Sequence, residues 1–261
     1  DWSSGVCSTD LGEIRLDHVS FQYEAGVKAL DDVSLTIRPG TVTALVGESG
    51  GGKSTVANLI ARFWDVSEGS VTVGGVDVRE LDYADLMKHI SIVFQDTNLF
   101  KMSVAENVAM YKPDASREEI MEALQQAQCG DILEKLPHGV DSVIGAKGVY
   151  LSGGEMQRIA LARAILKDAP IVLLDEATAF ADAENEYLIQ KALDVLLRGK
   201  TVLMIAHRLQ TIVHADQIIV MLRGRIAEQG THEELMQRQG VYANMYHEYE
   251  NSVSWKIGGR A

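Results

Sequence analysis

The sequence is short of cysteine, of basic charge and of long apolar runs, and each shortage removes a class of protein. Cys7 and Cys129 are the only cysteines; they lie far apart without metal-ligand spacing, so neither a disulfide framework nor a thiolate metal site is indicated. A reducing compartment fits. Lys and Arg number 24 against 37 Asp and Glu, a formal net charge of -13. A general nucleic-acid binder carries a basic excess, so that class is set aside. The longest apolar runs, such as Ile218-Ile219-Val220-Met221-Leu222, are far too short to span a bilayer, and no signal peptide is visible. Internal repeats and low-complexity segments are missing too. Apolar residues make up 46% of the 261, enough to bury a sizeable core in one domain or a domain with a subdomain.

Two motifs stand out against this background. Gly47-Glu48-Ser49-Gly50-Gly51-Gly52-Lys53-Ser54-Thr55 contains G-x-x-x-x-G-K-[ST], whose glycines let successive backbone N–H groups curl around phosphates. Lys53 supplies a point charge and the Ser54 hydroxyl a magnesium ligand. The β-branched and apolar run Thr41 to Val46 reads as a buried strand entering the loop, and Thr55 to Phe63 has apolar residues at helical spacing. That order matters, because a helix N-terminus then points its unsatisfied N–H groups and positive dipole end at the phosphates. The second motif is Leu151-Ser152-Gly153-Gly154-Glu155, a loop and N-cap opening a helix through Arg163. It offers another helix N-terminus suited to an anion.

Elsewhere strand-like and helix-like segments alternate. Strands are expected at Glu13 to Tyr23, Ser34 to Ile37, Thr41 to Val46, Ser70 to Val76, Ile90 to Phe94, Ile171 to Leu174, Thr201 to Ile205 and Gln217 to Val220. Several are continuous apolar runs, as in parallel sheets covered on both faces. Residues 96–166 are mostly of helical period and read as a helical subdomain inserted into an α/β core. The chain opens on Asp1 rather than Met, and residues 1–12 read as the end of a linker from a preceding domain. Residues 249–261 read as a polar tail.

Ile171 to Leu174 runs into Asp175-Glu176. An acid at the C-terminal end of a strand faces the edge where α/β sheets bind ligands, so Asp175 can hold magnesium, directly or through water. Glu176 is the candidate general base for an attacking water, its pKa raised by the nearby triphosphate. Phosphoryl transfer otherwise needs charge neutralisation and an in-line water more than covalent help.

The phosphate loop, Leu151-Ser152-Gly153-Gly154-Glu155, Leu174-Asp175-Glu176-Ala177-Thr178 and Ala206-His207-Arg208, in this order, resemble the nucleotide-binding domain of ABC transporters over residues 13–248. The resemblance implies an α/β fold: a P-loop NTPase core with a mostly parallel sheet, an antiparallel β subdomain and an inserted α-helical subdomain. It implies ATP and Mg2+ as ligands. Tyr23 is similar to the aromatic that stacks on adenine. Gln95 resembles the glutamine that reaches magnesium and the attacking water, His207 the histidine at the γ-phosphate, and Asp182 the aspartate that communicates between two sites. Ser152, Gly153, Gly154 and Glu155 match the signature that contacts the nucleotide held by a partner's phosphate loop. Two chains then pair head to tail around two ATP molecules.

Asn98-Leu99-Phe100, Ser103 to Val108 and Gly224 to Leu235 resemble the exporter-type branch, in which a membrane domain precedes the nucleotide domain on one polypeptide. This places the domain at the cytoplasmic face of the membrane. Two segments depart from that pattern. Gly145-Ala146-Lys147-Gly148 lacks the usual glutamate that contacts the membrane domain, and Ala179-Phe180-Ala181-Asp182 replaces Ser-Ala-Leu-Asp, a version similar to exporter-fold transporters linked to siderophore uptake. Import and export both stay open. The alternatives are a soluble ABC-type ATPase of DNA repair, chromosome structure or translation, disfavoured by the absence of a long coiled coil or a second cassette, and a catalytically dead cassette. The dead cassette is disfavoured by Lys53, Gln95, Asp175, Glu176 and His207 together.

Overall fold

Alternating, continuous and amphipathic apolar patterns each find a different place in the computed structural model, which describes residues 12–24, 26–94, 99–145, 149–175, 183–206 and 208–258. In chain order the strands are β1 (Ile14–Glu24), β2 (Val27–Ile37), β3 (Val42–Gly47), β4 (Glu68–Val73), β5 (Val76–Asp77), β6 (Ile90–Val93), β7 (Ile171–Asp175), β8 (Thr201–Ile205), β9 (Gln217–Leu222) and β10 (Arg225–Gly230). The α-helices are α1 (Lys53–Ile60), α2 (Tyr83–Lys88), α3 (Val104–Val108), α4 (Arg117–Gln126), α5 (Gly130–Lys135), α6 (Gly153–Lys167), α7 (Ala183–Leu196), α8 (His232–Arg238) and α9 (Val241–Gly258). They divide into two compact units, one ending at Met87 and resuming at Thr201, the other Lys88–Lys200.

In the first unit β1 pairs antiparallel with β2 and with β4, and β4 with β5. β2 buries alternate residues, Val33, Leu35 and Ile37, as a strand with one wet face does; Leu30 is buried beyond an irregularity at Asp32, φ 55. β3 is different: Thr43 to Val46 are all buried. It runs parallel to β8 on one side and β9 on the other, which explains the unbroken apolar run. β10 closes against β9 in antiparallel register.

The second unit pairs β6 and β7 in parallel and packs α6 against α3, α4 and α7. Its interior holds large polar side chains, among them Asn107 and Arg158. Asn107 is fully buried, with its amide nitrogen donating to the carbonyls of Phe100 and Ser103, both at 3.0 Å. The partners of Arg158 are described below.

Three sequence expectations change. The run Ser70 to Val76 is a hairpin, broken by Gly74 and Gly75 at positive φ of 58 and 80, which turn the chain from β4 into β5. β10 was not foreseen, because its exposed residues alternate with half-buried ones rather than buried ones. The segment read as a tail from residue 249 continues α9 to Gly258. Val241, Tyr242, Met245, Tyr246 and Tyr249 lie on one face of that helix and pack on the cluster around Ala44, Val46, Leu209 and Val220. Once such a face is anchored, each further residue adds a backbone hydrogen bond at little cost, so a polar sequence can extend the helix.

Candidate functional site

The phosphate loop is shaped by backbone that only glycine tolerates. Gly47 has φ 136, and a Cβ there would lie 2.0 Å from the carbonyl oxygen of Met221. Gly52 has φ 99, and a Cβ there would meet the Ala29 carbonyl at 2.7 Å. The loop is thus pressed against the end of β9 and against β2, with Gly224 N–H donating to the Gly51 carbonyl at 3.1 Å from behind. The Lys53 ammonium folds back to donate to the carbonyls of Gly47 and Glu48, both at 2.8 Å.

α1 starts at Lys53 with Gly52 as its N-cap; no side chain caps it and its first turn holds no acid. Its leading amides therefore have no side-chain cap, which leaves the helix N-terminus suited to an anion. Ser54 is exposed in that first turn while Lys53 and Thr55 are buried. Tyr23, at the end of β1, stands over this helix: its hydroxyl donates to Thr55 Oγ1 and accepts from Asn58 Nδ2, both at 3.3 Å. Tyr23 is 46% exposed, and its ring makes edge-to-face contacts with Phe21 at 4.8 Å and Trp64 at 5.5 Å between centroids. An aromatic face held this way suits stacking on a flat base. Trp64, Thr55 and Asn58 as supports of Tyr23 were missed from sequence; aromatics at Phe63-Trp64 just beyond α1 were the available signal.

The N-terminus of α6 is built differently. Ser152 Oγ accepts from Glu155 N–H at 3.2 Å, and the Glu155 carboxylate accepts from Ser152 N–H at 2.8 Å, a reciprocal capping box. Lys135 adds a 3.0 Å ion pair to Glu155. Burial pushes the Glu155 carboxyl up, but the Ser152 amide and the Lys135 ammonium outweigh it and hold it below its ordinary value. Glu155, expected among the nucleotide contacts, has its carboxylate engaged within its own chain. Ser152 and Gly153 are exposed and Gly154 is buried.

Asp175 ends β7, half-buried. Gln95, Glu176, Asp182 and His207 lie outside the described residues, as do Ala146, Lys147 and Gly148 and the stretch Ala179 to Asp182. Of the cysteines, Cys129 is buried, and burial lifts its thiol to about 12; Cys7 is outside the described residues. Among the described residues no group of three or more His, Cys, Asp or Glu is gathered to hold a metal, and no helix is long and apolar enough to cross a membrane.

A strand, a glycine loop against which the Lys53 ammonium folds, and a helix without a side-chain cap define an ATP-binding domain of the P-loop class. A family model described as ABC transporter matches residues 30–179, more than half of the chain, and the chain belongs to the ABC transporter family as one of its ATPase domains. It is 54% identical over 235 residues to a protein of Mycolicibacterium thermoresistibile named mycobactin import ATP-binding/permease protein, covering 90% of this chain and 26% of that one. It is 49% identical over 235 residues to an ATP-dependent lipid A-core flippase of Legionella pneumophila, covering 90% of this chain and 40% of the flippase. A solved bacterial Atm1-family ABC exporter with ATP bound superposes with TM-score 0.86 at 37% identity, over 94% of this chain and 43% of that one. The fold is accordingly the P-loop NTPase core with a mixed parallel and antiparallel sheet and helices. Relatives named as transporters disfavour a soluble repair or translation ATPase. The chain spans between a quarter and a half of each of these longer proteins.

Proposed function

We propose that this chain is the ATP-driven motor of a membrane transporter whose membrane-spanning domain belongs to the same polypeptide, working at the cytoplasmic face. The observation that carries the reading is the phosphate cradle: Gly47 and Gly52 in conformations closed to other residues, Lys53 turned inward, and α1 left uncapped. Tyr23 serves the adenine, and residues 47–55 the phosphates. The exposed Ser54 hydroxyl and the Asp175 carboxylate at the end of β7 are hard oxygen donors of the kind Mg2+ takes alongside waters and phosphate. With Gln95 they are the proposed ligands; bound there, Mg2+ supplies charge neutralisation at the transferring phosphoryl group. Glu176 takes the proton of the attacking water, and His207 steadies the γ-phosphate.

Ser152, Gly153 and Gly154, with Asp182, complete the site of a second ATPase domain, identical or related, in a head-to-tail pair. ATP favours the closed pair and hydrolysis weakens that preference, which is the differential affinity any ligand-driven switch requires. Relatives sharing about half of this domain are named for mycobactin import and for lipid A-core flipping, which supports a domain that supplies power while other segments choose the cargo.

The test is a matched pair of variants. Glu176→Gln should bind ATP with near wild-type affinity and lose hydrolysis by on the order of a hundredfold or more. Lys53→Ala should lose binding itself. Wild-type turnover by Glu176→Gln would sink the assignment of the base.

A further inference from the structure

Arg158 is 1% exposed, and a guanidinium that cannot shed its charge needs partners when buried; its two Nη atoms find them, while its buried Nε has none. Its Nη1 donates to Asp131 Oδ1 at 2.6 Å and also to the Gln128 carbonyl; its Nη2 donates to Asp131 Oδ2 at 2.9 Å and to Asn185 Oδ1 at 3.0 Å. Asp131 neutralises the charge in the bidentate geometry typical of such pairs. Asn185 adds a further acceptor. Because arginine only donates, the amide oxygen of Asn185 is the atom that must face it.

The same asparagine touches the signature directly. A Cβ on Gly154 would lie 2.8 Å from both Cβ and Cγ of Asn185, so the first turn of α6 rests on the first turn of α7 with no space for another side chain. α5 joins the arrangement twice, through Asp131 to Arg158 and through Lys135 to Glu155. The exposed Ser152 and Gly153, at the start of α6, are thus braced by two other helices, α5 and α7.

We propose that Asn185, acting through Arg158 and against Gly154, is a positioning residue that fixes the signature end of α6 for the nucleotide of the partner domain. This rests on the reading of Ser152 to Gly154 as the second half of a shared site. Such a residue affects closure of the pair and leaves nucleotide capture by the chain's own phosphate loop alone.

The experiment uses the full chain in a Glu176→Gln background and measures ATP affinity of the monomer and ATP-dependent dimerisation separately. Asn185→Ala should leave monomer ATP affinity within about twofold and weaken dimerisation on the order of tenfold, the scale for removing one partner from a buried charge. Asn185→Asp, which keeps the acceptor, should restore dimerisation. Ser152→Arg is the control and should abolish it. If Ser152→Arg blocks dimerisation and Asn185→Ala does not, the positioning role is overturned while the shared site stands. Equal loss of ATP affinity and dimerisation in both Asn185 variants would mark a merely structural residue and also overturn it. If Ser152→Arg dimerises normally, the shared site falls and this role falls with it.

Discussion

Lys167 shows how far a single residue departs from its usual chemistry in this fold. Its ammonium donates to the Ile90 carbonyl at 2.5 Å and lies 4.7 Å from the centroid of the Tyr111 ring, and burial lowers its pKa to about 8. The folded chain therefore holds fewer protons at this site than the unfolded chain between about pH 8 and the ordinary value of 10.5. Stability contributed by this site must rise with pH through that window, and the cost of burying the charge is fully present below it. Other lysines, such as Lys28, Lys112 and Lys135, are shifted upward by acidic partners and act in the opposite sense. Comparison with a variant isolates the effect. The stability of the wild type relative to Lys167→Met, read from urea midpoints, should improve between pH 7.5 and pH 10; a flat difference would contradict the burial argument.

At the scale of elements, the helices are stopped and started by local chemistry that serves two purposes. Ser103 with Glu106, Ser116 with Glu119, Ser152 with Glu155 and Thr231 with Glu234 all form reciprocal capping boxes. Ser116→Ala and Ser152→Ala should each cost about 1 kcal/mol in denaturant unfolding. Only the second should also weaken ATP-dependent pairing, so equal pairing by both would remove any special role for Ser152. The Glu155 part of its box has a pH signature: its folded pKa is depressed, so its contribution is present above the ordinary carboxylate range and lost as pH falls through the folded value.

Much of this was legible in the sequence, for reasons that differ by element. β3 and α1 were readable because a continuous apolar run and a helical repeat flank a loop whose glycines have no other use. The Ser152 cap was readable from its spacing to Glu155. The Arg158 cluster was not, since Asp131, Arg158 and Asn185 are 27 residues apart at each step and no local pattern relates them. Trp64 offered only the aromatic pair Phe63-Trp64 as a signal, because its value comes from a ring on β1. β10 and the end of α9 carry too little apolar periodicity to announce themselves: pairing with β9 defines β10, and the anchoring of Val241 to Tyr249 on the core lets α9 run on.

For the whole molecule, the same cradle that binds nucleotide must also stabilise the fold, since a ligand that binds only the native state shifts the unfolding equilibrium by mass action. At about one hundred times its Kd, MgATP should add about 2.7 kcal/mol, which for a chain of this size is a rise of roughly 5 to 10 °C in Tm. Gly47→Ala should abolish that ligand-dependent rise whatever its own Tm, because a Cβ there occupies the position of the Met221 carbonyl oxygen. A calorimetric or dye-based melt with and without MgATP decides the matter. An undiminished rise in the variant would show that the loop's backbone is not where the phosphates bind.

The tie between Tyr23 and α1 has one further consequence. Thr55 and Asn58, which hold the Tyr23 hydroxyl, belong to the same short helix whose first residue is Lys53. On the proposed assignment of Tyr23 to the base and residues 47–55 to the phosphates, the two surfaces would be marked off on one rigid ruler, and a molecule would be measured by its length between ring and phosphate as well as by its chemistry at either end.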